Sequence, residues 1–496
     1  MPLSDTQRFA AVDIGSNSIH LAIAERHGDQ LKRVASMSEK VQLAMGLDAH
    51  NQLSPAVMER GFECLQRFAG RLRDVNSAHL RVVATNTLRR AANSQAFIAH
   101  ANDILPVPVE IISGREEARL IYLGVAHTCP GNKQRLVVDI GGGSTELIIG
   151  QNFTPLLTES AQIGAVSFSQ QFFGDGVISA LAFEKAIYAA QKEVIKFASL
   201  YKKTGFDEAL GSSGTIKTIG QVLAGFGLGK EITLAGVEQL KASLIACAHV
   251  NEIEMEGVKA HRKAIFPAGV AILLAIMKVF GIRLLRYCDG ALREGVMYDM
   301  LSRMDFHDVR DDSVAAIIDR FGVDKKQAKR VAKTAAQLFN QVQSALSLPA
   351  DGEQMLKRAA LLHEVGLAIG HSGYHKHGSY LLRHADMAGF SRTDQEKLSL
   401  LVRYHRRAIN MDDCDRVIKA GGVALSYLAL LLRLSVVANY GRFELSKQQI
   451  QLAVDDNHWH VTVKIDRPEH QACVINIQDE AHWFAKWGIE LTVMGA

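Results

Sequence analysis

The chain contains 496 residues, of which 48% are hydrophobic and 22% are charged. A chain of this length exceeds one ordinary hydrophobic core, so several domains are expected, and the composition excludes a disordered protein. The net charge of +4 is too small to demand a polyanionic partner, and no specific nucleic acid is expected. Six scattered cysteines form no CxxC motif. This argues against a disulfide framework or a zinc site and predicts small core residues in a reducing compartment.

No segment of the sequence has the pattern of a membrane anchor. The beginning of the chain lacks the charged-then-apolar pattern of a secretion signal. The most apolar stretches, 265–280 and 423–437, each contain one charged residue, Lys278 or Arg433. Both fall short of the ~20 residues that a membrane span needs. We therefore expect no membrane span and a cytoplasmic protein.

The first half of the chain alternates the patterns of strands and helices. The predicted elements are, in order, a strand over 9–13, a strand over 19–23, a helix over 55–75 and a strand over 80–85. The small residues 15–18 between the first two strands indicate a hairpin. Further along, Ser113 and Glu116 have the spacing of a capping box, which predicts the start of a helix.

A strand over 135–140 begins a second copy of the first hairpin. The segments Asp13-Ile14-Gly15 and Asp139-Ile140-Gly141 both precede small polar residues and a further strand, and they lie 126 residues apart. A repeat at this spacing predicts two similarly folded α/β lobes.

Glycine-rich loops of this kind suit a phosphate ligand. Backbone N–H groups and hydroxyls of two facing loops can bind phosphate oxygens from both sides, and glycine allows the close approach. A third loop, over 211–215, adds further small donors. Because aspartates repel phosphate, we expect Asp13 and Asp139 to hold a cation, most simply Mg²⁺. The alternative is that each loop is only a tight turn, which three such loops together disfavour.

The motifs taken together resemble those of the exopolyphosphatase / guanosine pentaphosphate phosphohydrolase family. The matching segments are DIGSNS (13–18), TNTLR (85–89), SGREEARL (113–120), DIGGGSTEL (139–147), GSSGT (211–215) and DGALREG (289–295). The resemblance spans essentially the whole chain. It implies a pair of actin-like (ribonuclease H-like) α/β lobes that cleaves terminal phosphate from a polyphosphorylated chain.

The resemblance also implies roles for individual residues. Glu117 matches the family's catalytic base, whereas Glu116 is nearer the capping position; without the resemblance, both are first-turn acids favoured by the helix dipole. Glu146 and Asp139 match positions around the metal and the attacking water, so the expected metal ligands are Asp13, Asp139 and Glu146. The expected phosphate contacts are Gly15, Ser16, Asn17, Ser18, Arg89, Gly141, Gly142, Gly143, Ser144, Ser213, Gly214 and Thr215, with Lys192 and Arg262 as further family-like contacts.

The second half of the chain has a different pattern. After Arg303 the strand patterns stop, and 312–410 predicts a succession of amphipathic helices. Within it, His363 and Glu364 resemble the central motif of HD-type metal-dependent phosphohydrolases, with glutamate in place of aspartate. Candidates to complete a metal site are His371, His375, His377 and His405. The alternative, which matches the family's own pattern, is an HD-like domain without metal chemistry. Strand-like runs over 458–463 and 472–477 then predict a small C-terminal α/β module.

Basic side chains concentrate in two segments of the helical region, HSGYHKH (371–377) and RYHRR (403–407). A linear polyanion binds such a surface through many salt-dependent phosphate contacts. The predicted polyphosphate track consists of His371, His375, Lys376, His377, Arg403, His405, Arg406 and Arg407. The alternative is a solvated basic helix face.

These observations predict an α/β protein with four domains. They are an actin-like domain over 1–125, a second actin-like domain over 126–306, a helical HD-like domain over 307–442 and a small α/β domain over 443–496.

The predicted activity is that of an exopolyphosphatase, which releases terminal orthophosphate processively by metal-assisted attack of water. Guanosine pentaphosphate is the alternative substrate, because the catalytic loops suit both; the two basic segments favour polyphosphate. The same fold also serves sugar kinases and ATPases, and a non-catalytic polyanion sensor is a further alternative. The resemblance additionally implies a homodimer, and stimulation by K⁺ beside Mg²⁺.

Overall fold

The computed structural model describes residues 7–229, 231–305, 308–443, 446 and 449–495. The first six residues and the predicted domain boundary at 306/307 lie outside the described residues. The chain divides into two compact units, Met1–His307 and Asp308–Ala496.

The first unit begins with a five-stranded sheet. Its strands are β1 (Arg8–Ile14), β2 (Ile19–His27), β3 (Gln30–Glu39), β4 (Leu80–Ala84) and β5 (Val109–Ile111). Their spatial order is β3-β2-β1-β4-β5; β1 to β3 are antiparallel, whereas β4 and β5 run parallel to β1. The accompanying helices are α1 (Pro55–Arg71), α2 (Asn86–Arg90), α3 (Ser94–Ile104) and α4 (Gly114–Thr128).

The same unit continues with a six-stranded sheet. Its strands are β6 (Gln134–Ile140), β7 (Thr145–Gln151), β8 (Thr154–Ala161), β9 (Glu208–Ser212), β10 (Ile232–Thr233) and β11 (Leu284–Tyr287), in the order β10-β11-β9-β6-β7-β8. The helices are α5 (Ala165–Phe172), α6 (Ala180–Thr204), α7 (Ser213–Gly225), α8 (Leu234–Cys247), α9 (Phe266–Phe280) and α10 (Leu292–Asp305). Short 3₁₀ helices in this unit cover Leu43–Gly46, Ser77–His79, Val250–Glu252 and Ala260–Ile265.

The two sheets share one core topology, which confirms the predicted repeat. Strands β6, β7 and β8 form an antiparallel meander, β9 runs parallel to β6, and β11 runs parallel to β9. This is the arrangement of β1 to β5, so the first unit consists of two actin-like α/β lobes. The strands and the first long helix expected from the sequence are all present, with bounds shifted by a few residues, as helix and strand ends commonly are.

Helices α4 and α10 pack directly against each other. A Cβ on Gly295 would overlap the main-chain oxygen of Leu120, and one on Gly124 would overlap that of Ala291. The glycines therefore allow a backbone contact that no other residue fits. The pair is fixed further by the buried carboxylate of Asp299 on α10. It accepts hydrogen bonds from Arg119 at 2.7 Å and from Arg81 at 2.8 Å.

One pair of cysteines differs from the expectation. The structure joins Cys129, at the end of α4, to Cys288, which follows β11, in a disulfide. The prediction of reduced core residues is wrong for this pair, because the fold brings together two residues 159 positions apart. The four others, Cys64, Cys247, Cys414 and Cys473, are free.

The second unit is helical and ends in a small α/β module, as predicted. Its helices are α11 (Val309–Phe321), α12 (Lys325–Val342), α13 (Gly352–Leu362), α14 (Tyr374–His384), α15 (Arg392–Tyr404) and α16 (Met411–Ala438), with a 3₁₀ helix over Val365–Ala368. The module contains β12 (Ile450–Asp455), β13 (His458–Val463), α17 (Pro468–Gln478), α18 (Ala481–Ala485) and β14 (Glu490–Gly495), with the sheet order β12-β13-β14. The prediction of a strand over 472–477 is wrong. The run lies in α17, whose first turn contains Pro468, a position where proline favours a helix.

Two helical segments, Ala260–Phe280 and Met411–Ala438, are long and apolar enough to cross a membrane. The argument from sequence that such runs are too short therefore fails for both. In the most apolar stretch of each segment, however, most of the residues are buried inside the protein, 72% in the first segment and 67% in the second. A helix that is apolar all round is also the pattern of a core helix, so burial identifies both segments as core helices.

Candidate active site

A cavity of about 300 Å³ in the first unit is lined by both lobes. It brings together most of the predicted site residues. Those that line it are Asp13, Gly15, Ser16, Asn17, Ser18, Glu117, Asp139, Gly141, Gly142, Gly143, Ser144, Glu146, Ser213, Gly214, Thr215 and Arg262. The three glycine loops and four carboxylates that the sequence singled out thus share one cavity.

The two hairpin loops are built alike and face each other. The N–H of Gly15 donates to the Ser18 oxygen at 3.2 Å, and that of Gly141 donates to the Ser144 oxygen at 2.9 Å. A Cβ on Gly142 would lie 3.0 Å from the Ser16 side chain. Glycine at this position therefore lets the second lobe's loop approach the first.

The residue opposite each aspartate differs between the two loops. In the sheet register, Asp13 pairs with His20, whereas Asp139 pairs with Glu146. His20 also lines the cavity. Burial, with the positive charges of Arg293 and Arg262, lowers the pKa of His20 to about 3, so its imidazole is neutral. The first loop therefore contributes one carboxylate and the second contributes two.

The third loop contains a strained residue and lies beside a cationic side chain. Ser213, at the start of α7, has a φ of 79°, a left-handed conformation that a non-glycine residue adopts at some cost. Next to it, Gly214 leaves room for the Arg262 guanidinium. This places a positive charge beside backbone donors, an arrangement suited to phosphate.

Adjacent glutamates at the start of α4 point in different directions. The hydroxyl of Ser113 caps this helix by accepting from the Glu116 N–H at 3.1 Å. The Glu116 carboxylate binds Arg119, with both contacts at 2.8 Å. Glu117 instead lines the cavity and accepts from Arg89 at 2.8 Å. Their different orientations separate a structural carboxylate from one available for chemistry.

Burial and mutual repulsion raise the pKa of three of the cavity carboxylates. Desolvation, together with nearby Glu117, raises the pKa of Asp13 and of Asp139 to about 7 in each case. The same causes raise the pKa of Glu146 well above its usual range. Clusters of this kind mark functional sites, where ionised carboxylates are held for a ligand.

The carboxylates fit a hydrated divalent cation. The Oδ1 atom of Asp13 is buried and has no hydrogen-bond partner in the described part of the chain, as expected of an oxygen that a cation would satisfy. Among the described residues, no group of three or more His, Cys, Asp or Glu side chains is placed to hold a metal alone. Mg²⁺ commonly uses one or two carboxylates and takes its other ligands from water and phosphate. The donor set therefore suits Mg²⁺ bound together with a substrate.

Several cavity residues were not predicted from the sequence. Lys217, Tyr287, Asp289 and Arg293 all line the cavity. Arg293 and Asp289 lie in the DGALREG motif, and Lys217 directly follows the third glycine loop, so the motifs did contain a signal for them.

Two predicted phosphate contacts lie elsewhere in the first unit. Arg89 is turned towards Glu117 and the main-chain oxygen of Ile112, which it contacts at 3.0 Å. Lys192 lies on the exposed side of α6 and is absent from the cavity lining. Arg89 can therefore orient Glu117, whereas the position of Lys192 does not support its predicted role.

In the second unit, the predicted track is only partly exposed. His371, Lys376 and Arg407 are exposed, and His377, Arg403 and Arg406 are half-buried. His375 and His405 are buried. Burial, reinforced by neighbouring cations, lowers the pKa of His375 to about 4 and that of His405 well below its usual range. These two histidines therefore remain neutral near pH 6.5 and add no positive charge to the predicted track there.

The HD-like motif in this unit is occupied by protein contacts. His363 Nδ1 lies 2.7 Å from the main-chain oxygen of Ala360. The Glu364 carboxylate accepts from Arg442 at 2.9 Å. Each side chain thus has one structural partner, whereas the second carboxylate oxygen of Glu364, Oε2, is buried without a hydrogen-bond partner among the described residues.

The fold and the cavity define a class, an actin-like α/β hydrolase that acts on phosphoanhydrides. A family model described as the Ppx/GppA phosphatase family matches residues 5–304, and the model of its domain III matches 309–476. A curated relative from Vibrio vulnificus (strain YJ016) is 37% identical over 459 residues, covering 92% of each chain. It is named guanosine-5'-triphosphate,3'-diphosphate pyrophosphatase. This chain belongs to the Ppx/GppA phosphatase family.

Solved structures are similar over about three fifths of this chain. The Aquifex aeolicus PPX-GPPA enzyme has a TM-score of 0.51 and 25% identity, covering 59% of this chain and 99% of its own. An exopolyphosphatase from Cytophaga hutchinsonii has a TM-score of 0.55 and 23% identity, covering 60% and 98%. At that identity the second likeness shows the fold alone.

Proposed function

We propose that this protein removes the terminal 5'-phosphate of guanosine pentaphosphate and leaves guanosine tetraphosphate. The observation that carries the proposal is the Vibrio vulnificus relative named for this substrate, because it is 37% identical across 92% of both chains. The cavity agrees with it, since glycine loops, cations and a carboxylate cluster suit cleavage of a phosphoanhydride.

Glu117 is the proposed general base. Its carboxylate lines the cavity and is fixed by Arg89 at 2.8 Å. From there it would accept the proton of a water that attacks the terminal phosphorus in line. Arg89 would orient the base, and the facing glycine loops would bind the oxygens of the phosphoryl group.

Asp13, Asp139 and Glu146 are the proposed ligands of Mg²⁺. When bound, the ion would neutralise charge that develops on the phosphate oxygens. The residues themselves would keep it at the end of β1 and β6, where both aspartates lie. Stimulation by K⁺ is part of the proposal only through the family resemblance.

Inorganic polyphosphate is the second candidate substrate. Exposed Lys376 and Arg407 favour it, because a long polyanion binds exposed cations. The relative's name favours the nucleotide, so we place guanosine pentaphosphate first and reverse the order of preference drawn from the sequence.

Phosphate release from both substrates, measured side by side with Mg²⁺, tests the proposal. We expect a higher kcat/KM for guanosine pentaphosphate than for polyphosphate of any length. A higher kcat/KM for polyphosphate would reverse the assignment. Release of phosphate without any acceptor also separates a hydrolase from a kinase.

The proposed enzyme is a cytoplasmic homodimer. Both properties are expectations from the sequence, and the dimer rests on the family resemblance. Light scattering at several protein concentrations checks the dimer, which predicts about twice the chain mass of 54.3 kDa.

A further inference from the structure

The side of the cavity nearest solvent differs in chemistry from its interior. We call Lys217, Tyr287 and Asp289, which line that side, the cavity mouth. The side chains of Lys217 and Asp289 are each 48% exposed, whereas Asp13, Glu117, Asp139 and Glu146 are fully or mostly buried. The cavity therefore has a buried acidic end and a mixed, accessible end.

The mouth residues contact one another through Asp289. Its Oδ1 accepts from the Tyr287 hydroxyl at 2.8 Å and from Lys217 at 3.2 Å. Its Oδ2 faces Arg33 at 3.3 Å. Burial alone would raise the pKa of Asp289, but hydrogen bonds from Tyr287 and Lys217 outweigh it and keep the pKa below its usual value. Asp289 is therefore an ionised acceptor at neutral pH.

The mouth also presents an aromatic ring. The Tyr287 ring is half-buried against the core of the second lobe, and the Lys217 ammonium lies over it, 5.4 Å from the ring centre. Because the Lys217 side chain is itself 48% exposed, it can move off the ring and leave that face to a base. Aromatic side chains stack on nucleobases of any sequence. The disulfide from Cys288 to Cys129 ties the main chain between Tyr287 and Asp289 to the end of α4, and the hydrogen bond from the Tyr287 hydroxyl to Asp289 joins the two side chains.

An inorganic polyphosphate can contact Lys217 of this surface but has no favourable contact with Asp289. Its oxygens are acceptors with negative charge, so they repel Asp289 and offer its carboxylate no donor. A guanine base does offer donors, because its N1–H and N2 amino group point the same way. Its O6 atom accepts beside them, which suits a lysine.

The position of the mouth relative to the phosphate loops is also right for a nucleotide. Lys217 lies one turn after the loop residues Ser213 to Thr215 on α7. The Oγ of Ser212, at the end of β9, donates to the Gly290 oxygen at 2.7 Å, which joins the third loop to the segment that carries Asp289. Phosphate and base can thus bind to neighbouring parts of one surface.

We propose that Tyr287, Asp289 and Lys217 form a guanine-reading subsite in which the base stacks on the tyrosine, donates to the carboxylate and accepts from the lysine. The inference rests on the proposed function and names the residues that select its nucleoside. The pair with Arg33 is half-exposed on both sides, and pairs of that kind contribute little, so Oδ2 can exchange Arg33 for a base donor.

A base-specific readout tests the subsite. GTP and ITP differ by the N2 amino group alone, so their inhibition constants against hydrolysis of guanosine pentaphosphate measure its recognition. We expect the wild type to bind GTP about tenfold more tightly than ITP, the effect of one or two good base contacts. Asp289→Asn should bring the ratio close to one. Arg33→Ala is the matched control and should keep the wild-type ratio.

A second pair of variants separates reading from folding. Tyr287→Phe keeps the ring and should retain most affinity for guanosine pentaphosphate, whereas Tyr287→Ala should raise its KM about tenfold or more. For both Asp289→Asn and Tyr287→Ala, the KM for tripolyphosphate should change much less than the KM for the nucleotide.

Two results would overturn the subsite. One is an unchanged GTP-to-ITP ratio in Asp289→Asn; the other is an equal change of both KM values, which would show a structural role. Failure of the proposed function looks different, because the wild type itself would then cleave tripolyphosphate with the higher kcat/KM.

Discussion

The cavity of the first unit and a histidine cluster of the second unit, formed by His363, His375 and His405, both concentrate titratable side chains. The surroundings of these side chains differ between the two regions. In the cavity, four carboxylates meet around open space, and Asp13 Oδ1 has no partner among the residues that the structure describes. In the cluster, His363 and His405 each lie within hydrogen-bond distance of a main-chain oxygen one turn earlier, at 2.7 and 2.6 Å. His375 Nδ1 and Glu364 Oε2 are also buried without a hydrogen-bond partner among the described residues, but Arg442 balances the Glu364 charge at 2.9 Å, and burial keeps His375 neutral at pH 7 by lowering its pKa.

The difference shows what burial means for a charged group. Negative charges gathered round a cavity keep their unfavourable repulsion energy until a cation neutralises them, and this energy then favours binding of the cation. Histidines packed into a core simply lose their charge and become structural. We expect chemistry to depend on the first group and acid stability to depend on the second.

The largest effect should come from the two adjacent glutamates of α4. Glu117→Gln removes the proposed base, so turnover should fall by ~10²-fold or more while substrate still binds. It relieves repulsion among the four cavity carboxylates but also weakens the buried pair with Arg89, and because these two effects oppose each other the melting temperature should change little. Rate measurements, calorimetric binding and thermal unfolding of the full chain check these expectations.

Glu116→Gln is the matched control. It weakens a buried pair with Arg119, which should cost about 1–3 kcal/mol of stability and leave turnover close to that of the wild type. If Glu117→Gln stays active, the base lies elsewhere, and Glu146 is the next candidate.

The response to Mg²⁺ should depend on pH. With a folded pKa of about 7 and an ordinary value of 3.8, Asp13 and Asp139 bind more protons folded than unfolded between pH 4 and 7. Their contribution to stability therefore falls as pH rises through that window. Mg²⁺ binds the ionised form of both carboxylates. Protonation of each one should therefore weaken the apparent affinity for Mg²⁺ roughly 30-fold at pH 5.5 relative to pH 8.

Thermal unfolding with and without Mg²⁺ measures this dependence. The rise in melting temperature should be larger at pH 8 than at pH 5.5, and Asp139→Asn should reduce it and raise the Mg²⁺ needed for activity. An equal rise at both pH values, retained in Asp139→Asn, would remove Asp139 from the metal site.

The cavity was predictable from sequence to the extent that it is made of local motifs. The repeated Asp-Ile-Gly segments identified two loops, and their hairpins identified the lobes. Cys129 and Cys288 gave no such signal, because they come together only when the fold brings the end of α4 to the segment that follows β11. The burial of His375 and His405 could not be predicted for the same reason. A basic segment has the same sequence whether its histidines face solvent or the core. The run 472–477 was ambiguous because short apolar runs fit a strand or a helix.

The histidine cluster should show the opposite dependence on pH. The pKa of His375 is lowered to about 4 by burial and by Arg403 and Arg406 nearby, with Lys376 and Arg407 adding to it. The unfolded chain then binds more protons than the folded chain between pH 6.5 and 4, so stability falls as pH drops through that window. For one histidine the loss amounts to roughly 3 kcal/mol. Denaturant unfolding at pH 7 and pH 5 should show a smaller loss in His375→Gln. An unchanged loss would mean that His375 stays charged in the fold.

The smallest effect should come from the exposed part of the predicted track. Lys376 and Arg407 are exposed, whereas Arg406 lies over the Tyr374 ring at 4.5 Å, so its replacement would disturb packing as well as charge. We therefore expect Lys376→Ala with Arg407→Ala to weaken binding of long polyphosphate slightly. The slope of log affinity against log salt should flatten by about one unit or less for each phosphate that the variant no longer binds.

Cleavage of guanosine pentaphosphate, whose proposed contacts all lie in the first unit, should keep its wild-type kcat/KM. Filter binding at several salt concentrations measures the first quantity and phosphate release the second. Because both residues are solvated, an unchanged salt slope would identify the basic segments as an ordinary charged helix surface. The cluster in the second unit would then be structural only, in contrast to the reactive cavity of the first unit.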